Sequence, residues 1–329
     1  EYRRQRQMCI RDSVCSDPDL IKFQVSTKVT DLLDQAGLSY EIYSNIKANP
    51  TIENVQTGVA AFKKSGADYI IAIGGGSSMD TAKAIGIIIA NPEFEDVRSL
   101  EGVAPTRKPC VPIIAVPTTA GTAAEVTINY VITDVERKRK FVCVDPHDMP
   151  IIAVVDPEMM SSMPKGLTAS TGMDALTHAM EAFLNLFASR SVQNASIEAV
   201  CENFHALPEA WRDGTHLAAR QEMLHASYLA GFAFTNNFVG YVHAIAHAVG
   251  ALYHIPHGRA NAVLLPAVLR EYGSCIAPKL AVLADALSLG GDTVSEKAER
   301  MIAAIEAMRD SFDIPSTLPH LSPNDYTEI

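Results

Sequence analysis

The sequence predicts a two-domain protein: an N-terminal α/β domain on a doubly wound parallel sheet, then an all-α C-terminal domain. Two patterns support this fold class. Short apolar strand runs alternate with helical patterns up to about residue 163, and only helical patterns follow. The length of 329 residues also fits about two domains. We therefore assign residues 14–163 to the α/β domain and 164–329 to the helical domain.

The two ends of the chain differ from the rest. Residues 1–13 hold four arginines and show neither strand nor helix periodicity, so we interpret them as a non-native scar and leave them out of the fold. The last residues, 324–329, read as the start of a helix. We therefore expect the helical domain to be truncated at its C-terminus.

Composition excludes several classes of protein. A hydrophobic content of 48% leaves enough apolar surface for a core and argues against disorder. The net charge of −11 argues against nucleic acid or an anionic membrane as partner. No apolar run approaches the roughly 18 residues of a spanning helix. Six scattered cysteines without a CxxC motif indicate free thiols, so we expect a cytoplasmic protein.

The elements of the first domain follow from periodicity and from glycine stops. Helices are predicted at 28–37 and 52–66, each ending in glycine. Another helix is predicted at 79–90. Compact apolar or β-branched runs predict strands at 40–43, 69–73, 111–116 and 151–155, and a charged turn at 136–140 joins a hairpin of 131–133 with 141–144.

The second domain consists of amphipathic and apolar helical patterns. Strand signals are absent after about residue 164. The predicted helices cover residues 169–185, 192–207, 218–232, 242–252, 260–272 and 294–312.

A glycine-rich loop, GGGS at 74–77, joins the strand at 69–73 to the next helix. A backbone without Cβ atoms can approach a phosphate closely, and the N–H groups at a helix start favour negative charge. The GxGxxG fingerprint is incomplete because Met79 stands in place of its last glycine. Taken alone, the loop is equally well explained as a tight turn.

A second strand-to-helix loop, PTTAGTAAE at 117–125, supplies hydroxyl groups and a glycine. Two such loops at the carboxyl ends of neighbouring strands predict a nucleotide site. The alternative for the threonines is helix capping.

Histidines cluster in the second domain. His243 and His247 are four residues apart and share one face of a predicted helix, and His257 follows in a Pro-His-Gly turn. Upstream, Asp174 and His178 are also four residues apart within an apolar context, where an unpaired carboxylate would be costly to bury. Such a set of oxygen and nitrogen donors predicts a metal site, although each histidine alone is more simply a structural residue.

These residues carry a family resemblance. The motifs are GGGS-x-x-Asp80, PTTAGT-x-x-Glu125, Asp174-Ala-Leu with Glu181, and Gly240-x-x-His243-x-x-Ala-His247-x-x-Gly250 followed by Pro256-His257-Gly258. In this order they resemble the iron-containing (group III) alcohol dehydrogenases, over about residue 14 to the end. Long gapped motifs of this kind are highly specific.

The resemblance implies a dinucleotide-binding N-terminal domain, a helical metal-binding domain and a metal in the cleft between them. It implies Fe²⁺ as the metal and His247 as the catalytic residue near the nicotinamide. The affinity order of divalent metals does not select iron, so Zn²⁺ is the competing ion. The implied metal ligands are Asp174, His178, His243 and His257.

The resemblance also implies NAD as cofactor. Asp17 matches the acid that binds the adenine ribose, which favours NAD over NADP. The other implied cofactor contacts are Asn49, Gly75, Gly76, Ser77, Asp80, Thr118, Thr119, Thr122 and Lys140, and the implied substrate contacts are Asn129 and Phe234.

The expected function is the NAD-linked interconversion of a small aldehyde and a primary alcohol by a cytoplasmic homodimer. Three alternatives remain open. One is another activity of the same family, on butanol, ethanol or 1,3-propanediol. Another is a sugar-phosphate cyclase or glycerol dehydrogenase, which share the two-domain layout and use zinc. The third is a truncated protein that binds metal or NAD without turnover.

Overall fold

The computed structural model describes residues 11–318 and 321–322. These residues form two compact units. Unit 1 comprises the described residues up to Thr118 together with 124–159, and unit 2 comprises 119–123 and the described residues from Met160 onward. The division after Met159 lies slightly before the expected boundary at 163. The short segment 119–123 packs with unit 2, which sequence periodicity did not indicate.

Unit 1 is built on a five-stranded, fully parallel sheet in the order β2-β1-β3-β4-β7, with a separate antiparallel hairpin of β5 and β6. This arrangement confirms the predicted α/β class and the predicted hairpin. The strands are β1 (Arg11–Ser16), β2 (Ser39–Tyr43), β3 (Tyr69–Gly74), β4 (Ile113–Pro117), β5 (Asn129–Asp134), β6 (Arg139–Val144) and β7 (Ile152–Ala153).

Strand β1 corrects the expectation that the fold starts at residue 14. Asp12 and Ser13 lie inside this strand, between β2 and β3, and both are buried. Their polar side chains hid the strand signal, because strand prediction relies on apolar and β-branched residues. Burial raises the pKa of the Asp12 carboxyl. The remaining residues of the presumed scar, 1–10, lie outside the described residues.

Four helices accompany the sheet: α1 (Pro18–Lys22), α2 (Thr27–Gln35), α3 (Ile52–Ser65) and α4 (Gly76–Ala90). Helix α3 starts with a capping box between Thr51 and Asn54 and ends at Gly66, whose φ of 66° suits glycine. Helix α4 is buried along most of its length. Its side chains join those of β3 and α3 in the apolar core of unit 1.

Unit 2 is helical throughout its described residues, as predicted. Helix α5 is its central element, with every residue from Gly172 to Leu184 buried, and it packs on α6, α7 and α9. The short helix Ala277–Ala286 was not predicted. The helices are α5 (Lys165–Leu184), α6 (Arg190–Arg212), α7 (Leu217–Asn237), α8 (Tyr241–Tyr253), α9 (His257–Tyr272), α10 (Ala277–Ala286) and α11 (Val294–Ser311). Within the described ranges, no helix combines the length and hydropathy needed to cross a membrane.

Candidate metal centre and nucleotide loops

Three predicted metal ligands meet inside unit 2. Asp174 comes from the middle of α5, His243 from the first turn of α8, and His257 from the start of α9. One ligand atom from each lies within 4.8 Å of the others. Asp174 Oδ1 is 3.6 Å from His243 Nε2 and 3.5 Å from His257 Nε2. Helix packing thus brings these three residues, which are far apart in the chain, to one point.

Two glycines allow this approach of the helices. A Cβ atom on Gly258 would lie 2.2 Å from the Ser170 carbonyl oxygen of α5, a distance that no side chain tolerates. A Cβ atom on Gly240 would lie 2.8 Å from Glu181 Oε1. Gly258 therefore permits the close backbone approach of α9 to α5, whereas Gly240 leaves room for the carboxylate of Glu181 beside the start of α8.

Glu181 orients the His243 ring. Its Oε2 lies 2.5 Å from His243 Nδ1, and its Oε1 accepts from the backbone N–H of Val242 at 2.8 Å. The carboxylate thereby also satisfies the start of α8, where Gly240 offers no capping side chain. The Glu181 contact at Nδ1 fixes the ring so that Nε2 faces Asp174, as in carboxylate–histidine–metal arrangements. From the sequence, Glu181 was predicted only as part of the family motif and not as a partner of His243.

Burial and charge pairing set the protonation of this cluster. Burial opposes charge on Asp174, but the surrounding histidines outweigh it and hold the Asp174 pKa well below its usual range. Burial also opposes charge on His243, yet its contacts with Asp174 and Glu181 raise the His243 pKa to about 9. The Glu181 pKa is lowered, because its hydrogen bond to His243 outweighs its burial.

His178 lies beside the group of three rather than within it. Its ring stacks on His243 with centroids 4.3 Å apart, and its Nδ1 lies 3.2 Å from the carbonyl oxygen of Gly121. Burial lowers the His178 pKa to about 3, so the ring is the neutral imidazole that metals bind. Its role as fourth ligand stays a prediction.

Two further predicted residues border the cluster. The His247 ring, half-buried on α8, lies 5.0 Å from the His257 ring between centroids. Phe234 on α7 stacks on His178 at 4.4 Å and is buried. Both are therefore placed where they could contact a molecule bound at the cluster, and both assignments stay predictions.

The residues present fit a divalent transition metal. A buried carboxylate and two imidazoles converge, and a third, neutral imidazole stands next to them. Two histidines with one carboxylate is a donor set typical of non-haem Fe²⁺, and it also suits Zn²⁺. The chemistry of the donors thus agrees with the predicted metal without choosing between the two ions.

The glycine loop of unit 1 has the geometry that a phosphate site requires. Gly74 has a φ of 151°, and a Cβ atom there would lie 2.2 Å from Ser78 Oγ. Gly75 is the N-cap of α4 and carries no side chain that could cap the first-turn N–H groups. Gly75, Gly76 and Ser77 are half-buried. Backbone donors at a partly open helix start agree with the predicted pyrophosphate contact.

Several other predicted cofactor residues lie in unit 1. Lys140 Nζ donates to Asn49 Oδ1 at 2.7 Å, which joins two of them. Asp80 accepts from the Val131 N–H at 3.1 Å, and burial raises its pKa to about 7. Asn129, the predicted substrate contact of this unit, is the first residue of β5 and is half-buried.

Asp17 has a structural role of its own. Its Oδ1 accepts from the N–H groups of Asp19 and Leu20, both at 3.0 Å, and so caps α1. This is the capping that aspartate favours at a helix start. The predicted contact with the adenine ribose stays a prediction, and it would fall on the carboxylate that already serves as this cap.

The threonine loop is divided between the units. Thr118 is buried in unit 1, where its N–H donates to the carbonyl oxygen of Gly74 at 3.0 Å. Thr119 and Thr122 belong to the segment that packs with unit 2. There, a Cβ atom on Gly121 would lie 2.7 Å from Thr171 of α5, so glycine is needed for the contact.

Comparison with known proteins identifies the family. The family model described as "Iron-containing alcohol dehydrogenase" matches residues 6–157. A second model, "Fe-containing alcohol dehydrogenase family, C-terminal", matches residues 168–325. The chain therefore belongs to the iron-containing alcohol dehydrogenase family and is an oxidoreductase of the alcohol dehydrogenase class. This confirms the family that the motifs predicted.

Individual relatives match nearly the whole chain. Lactaldehyde reductase of Escherichia coli K12 is 47% identical over 94% of this chain and 80% of its own length. The 1,3-propanediol dehydrogenase of Klebsiella pneumoniae is 41% identical over 92% of this chain and 78% of its own length. Among solved structures, a 1,3-propanediol oxidoreductase has a TM-score of 0.92 at 38% identity, covering 99% of this chain and 86% of that one.

Proposed function

We propose that this chain is a metal-dependent, NAD-linked oxidoreductase that interconverts lactaldehyde and 1,2-propanediol. The observation that carries the proposal is the convergence of Asp174, His243 and His257 at one buried point. The substrate assignment is supported by the 47% identity to a lactaldehyde reductase over nearly the whole chain.

In this proposal, Asp174, His178, His243 and His257 hold Fe²⁺, with Zn²⁺ as the competing ion. A divalent cation bound there supplies a Lewis acid for a carbonyl or alcohol oxygen. Glu181 keeps the His243 ring oriented through Nδ1. Phe234, which stacks on His178, forms an apolar wall of the substrate pocket next to the metal ligands.

Unit 1 binds NAD, which supplies or accepts the hydride when bound. The backbone N–H groups at Gly75 and Gly76 receive the pyrophosphate, and Asp17 accepts from a ribose hydroxyl. His247 transfers the proton of the alcohol group to and from solvent, a role that suits a half-buried imidazole. The other contacts proposed for NAD are Asn49, Ser77, Asp80, Thr118, Thr119, Thr122 and Lys140, and Asn129 is proposed to contact the substrate.

A second candidate substrate pair is 3-hydroxypropanal and 1,3-propanediol. It is favoured by the 41% identity to a 1,3-propanediol dehydrogenase and by the TM-score of 0.92 with a 1,3-propanediol oxidoreductase. Both substrates are small hydroxyaldehydes and need the same chemistry. The two substrates differ only in shape, so the side chains that line the substrate pocket must distinguish them.

We also propose that the protein acts as a homodimer in the cytoplasm. The dimer is what the family resemblance implies. The cytoplasmic location is supported by the cysteines, since Cys15, Cys110, Cys143, Cys201 and Cys275 are free thiols in the described part of the chain.

The decisive experiment joins metal analysis with substrate kinetics. Anaerobically purified protein should contain about one divalent metal ion per chain. It should oxidise NADH with a higher kcat/KM for lactaldehyde than for 3-hydroxypropanal. His243→Ala should lose both metal and turnover, whereas His225→Ala, which removes an exposed histidine paired with Glu202, should keep both. A metal-replete, active His243→Ala protein would exclude this centre.

A further inference from the structure

The side chain of Asn261 lies among the proposed metal ligands. It follows His257 by one helical turn on α9, so both side chains share a helix face. Asn261 is fully buried. Its Nδ2 lies 2.6 Å from Asp174 Oδ1, 3.1 Å from His243 Nε2 and 3.2 Å from His257 Nε2. One amide nitrogen therefore contacts the ligand atom of every member of the group of three.

The hydrogen-bonding capacity of the amide does not match these neighbours. The NH₂ group has two hydrogens but lies within hydrogen-bond distance of three polar atoms, one carboxylate oxygen and two imidazole nitrogens, so it cannot donate to all of them. The carbonyl end, Oδ1, is buried and has no hydrogen-bond partner among residues 11–318 and 321–322. A buried carbonyl without a partner costs free energy, so this orientation leaves an acceptor unused beside a site of strong acceptors.

A cation held by the same three atoms changes which end of the amide is favoured. The NH₂ hydrogens carry partial positive charge and repel a cation, whereas the carbonyl oxygen attracts one. The two ends of the amide are nearly equal in size, and its terminal torsion is roughly two-fold. Rotation by about half a turn therefore exchanges them within the same volume.

We propose that Asn261 is a further residue of the metal centre, an inference that rests on the metal site of the proposed function. Its NH₂ group lies against Asp174, His243 and His257 when no cation is present. Its carbonyl oxygen is an additional oxygen donor when a cation is bound. Together with the four predicted ligands, this oxygen raises the number of protein donors above the four typical of structural Zn²⁺ sites, which favours Fe²⁺.

The test is a titration of metal-free protein with Co²⁺, whose visible absorption reports the number and type of its ligands. Asn261→Leu removes both polar ends at similar volume, and Asn261→Asp keeps an oxygen donor. Asn203→Leu is the matched control, because Asn203 is also fully buried in unit 2, donates from Nδ2 to the Gly172 carbonyl oxygen at 2.8 Å, and has an Oδ1 without a partner in the described chain.

Wild type and Asn203→Leu should give the same spectrum and affinity. Asn261→Leu should bind Co²⁺ about tenfold more weakly or worse, with the spectrum of a site that has lost a ligand. Asn261→Asp should retain the affinity, with bands altered by the carboxylate. If the leucine variant does not unfold cooperatively, the aspartate variant decides, and an unaltered spectrum there overturns the inference.

Two different failures can be told apart. If wild type binds no Co²⁺, or if His243→Ala binds it as wild type does, the proposed metal centre itself is wrong. If His243→Ala abolishes binding but Asn261→Leu keeps the wild-type spectrum, only the role of Asn261 is wrong. Weaker binding by Asn261→Leu with an unchanged spectrum also overturns the donor role, because Asn261 would then only support the other ligands.

Discussion

The same residue pair occurs in two environments in unit 2. Glu181 contacts His243 Nδ1 at 2.5 Å in the buried centre, and Glu202 contacts His225 Nδ1 at 2.8 Å on the surface. The surface pair is screened by water and contributes about 0–1 kcal/mol at most. The buried pair is shielded from solvent and fixes the direction in which His243 Nε2 points. The chemistry is the same, and burial decides which pair matters for function.

We predict that Glu181→Gln lowers metal affinity by about 10–100-fold, because a neutral amide orients and polarises the His243 ring less strongly. The measurement is competition with a metal chelator, followed by metal analysis. Glu202→Gln is the matched control and should bind metal like the unmodified protein. Equal affinities for the two variants would show that Glu181 does not support a metal ligand.

Asp17 offers a second prediction for a single residue. Asp17→Asn keeps an oxygen that can cap α1 but removes the charge that repels a 2′-phosphate. We expect the ratio of kcat/KM for NADH over NADPH to fall by about tenfold, while thermal stability changes little. Both cofactors are compared at one substrate concentration. An unchanged ratio would refute the proposed ribose contact and leave Asp17 as a helix cap only.

Among the elements, α4 carries an unusual buried cation. Lys83 is fully buried, and its Nζ donates to the carbonyl oxygens of Thr127 and Asn129, the latter at 3.1 Å. Asp148 Oδ1 lies 3.5 Å away. These contacts join α4 to the segment leading into β5, which contains the proposed substrate residue Asn129. The hydrogen bonds of Lys83 thus fix the segment at 127–129 to helix α4, in addition to the apolar packing between them.

We predict that Lys83→Met lowers the free energy of unfolding by about 3–5 kcal/mol at pH 8, because it leaves a buried carboxylate without its cation. Burial raises the Asp148 pKa to about 7, so at pH 5 this carboxyl is protonated and the loss should be smaller. Adding Asp148→Asn should recover part of the loss at pH 8. Denaturant unfolding of the unmodified protein and the two variants at both pH values tests this, and a loss independent of pH would contradict it.

At the scale of the whole molecule, desolvation raises the pKa values of several carboxyl groups in unit 1, among them that of Asp12. Burial raises the pKa of Asp80, Glu125 and Asp148 to about 7 in each case. In the unfolded chain these groups titrate near 4. The native state therefore binds more protons than the unfolded state between about pH 4 and 7.

It follows that these groups make unit 1 less stable as the pH rises from about 4 through 7. Hydrogen exchange of amides in β3 and α4, corrected for the intrinsic rate, should show lower protection free energies at pH 8 than at pH 5. Glu125→Gln should reduce this pH dependence. A protection free energy that increases toward pH 8 in the unmodified protein would contradict the prediction.

Many elements were predictable because their signals are local. The strands at 69–73 and 111–116 and the helix at 52–66 agree with β3, β4 and α3, since apolar periodicity and terminal glycines depend only on neighbouring residues. Strand β1 was not predicted, because Asp12 and Ser13 are polar and their burial depends on the flanking strands β2 and β3. Helix α10 is short and gave a weak periodic signal.

By itself, the sequence determined the α/β and helical halves, the family, and the pairs of residues that share a helix face. These properties follow from spacing along the chain. Only the tertiary structure decided that Asp174, His243 and His257 meet, that His178 stacks beside them, and that Glu181 and Asn261 join them. The reason is that α9 approaches the α5 backbone closely at Gly258, that Gly240 leaves room for the Glu181 carboxylate, and that no local pattern encodes such distances between helices.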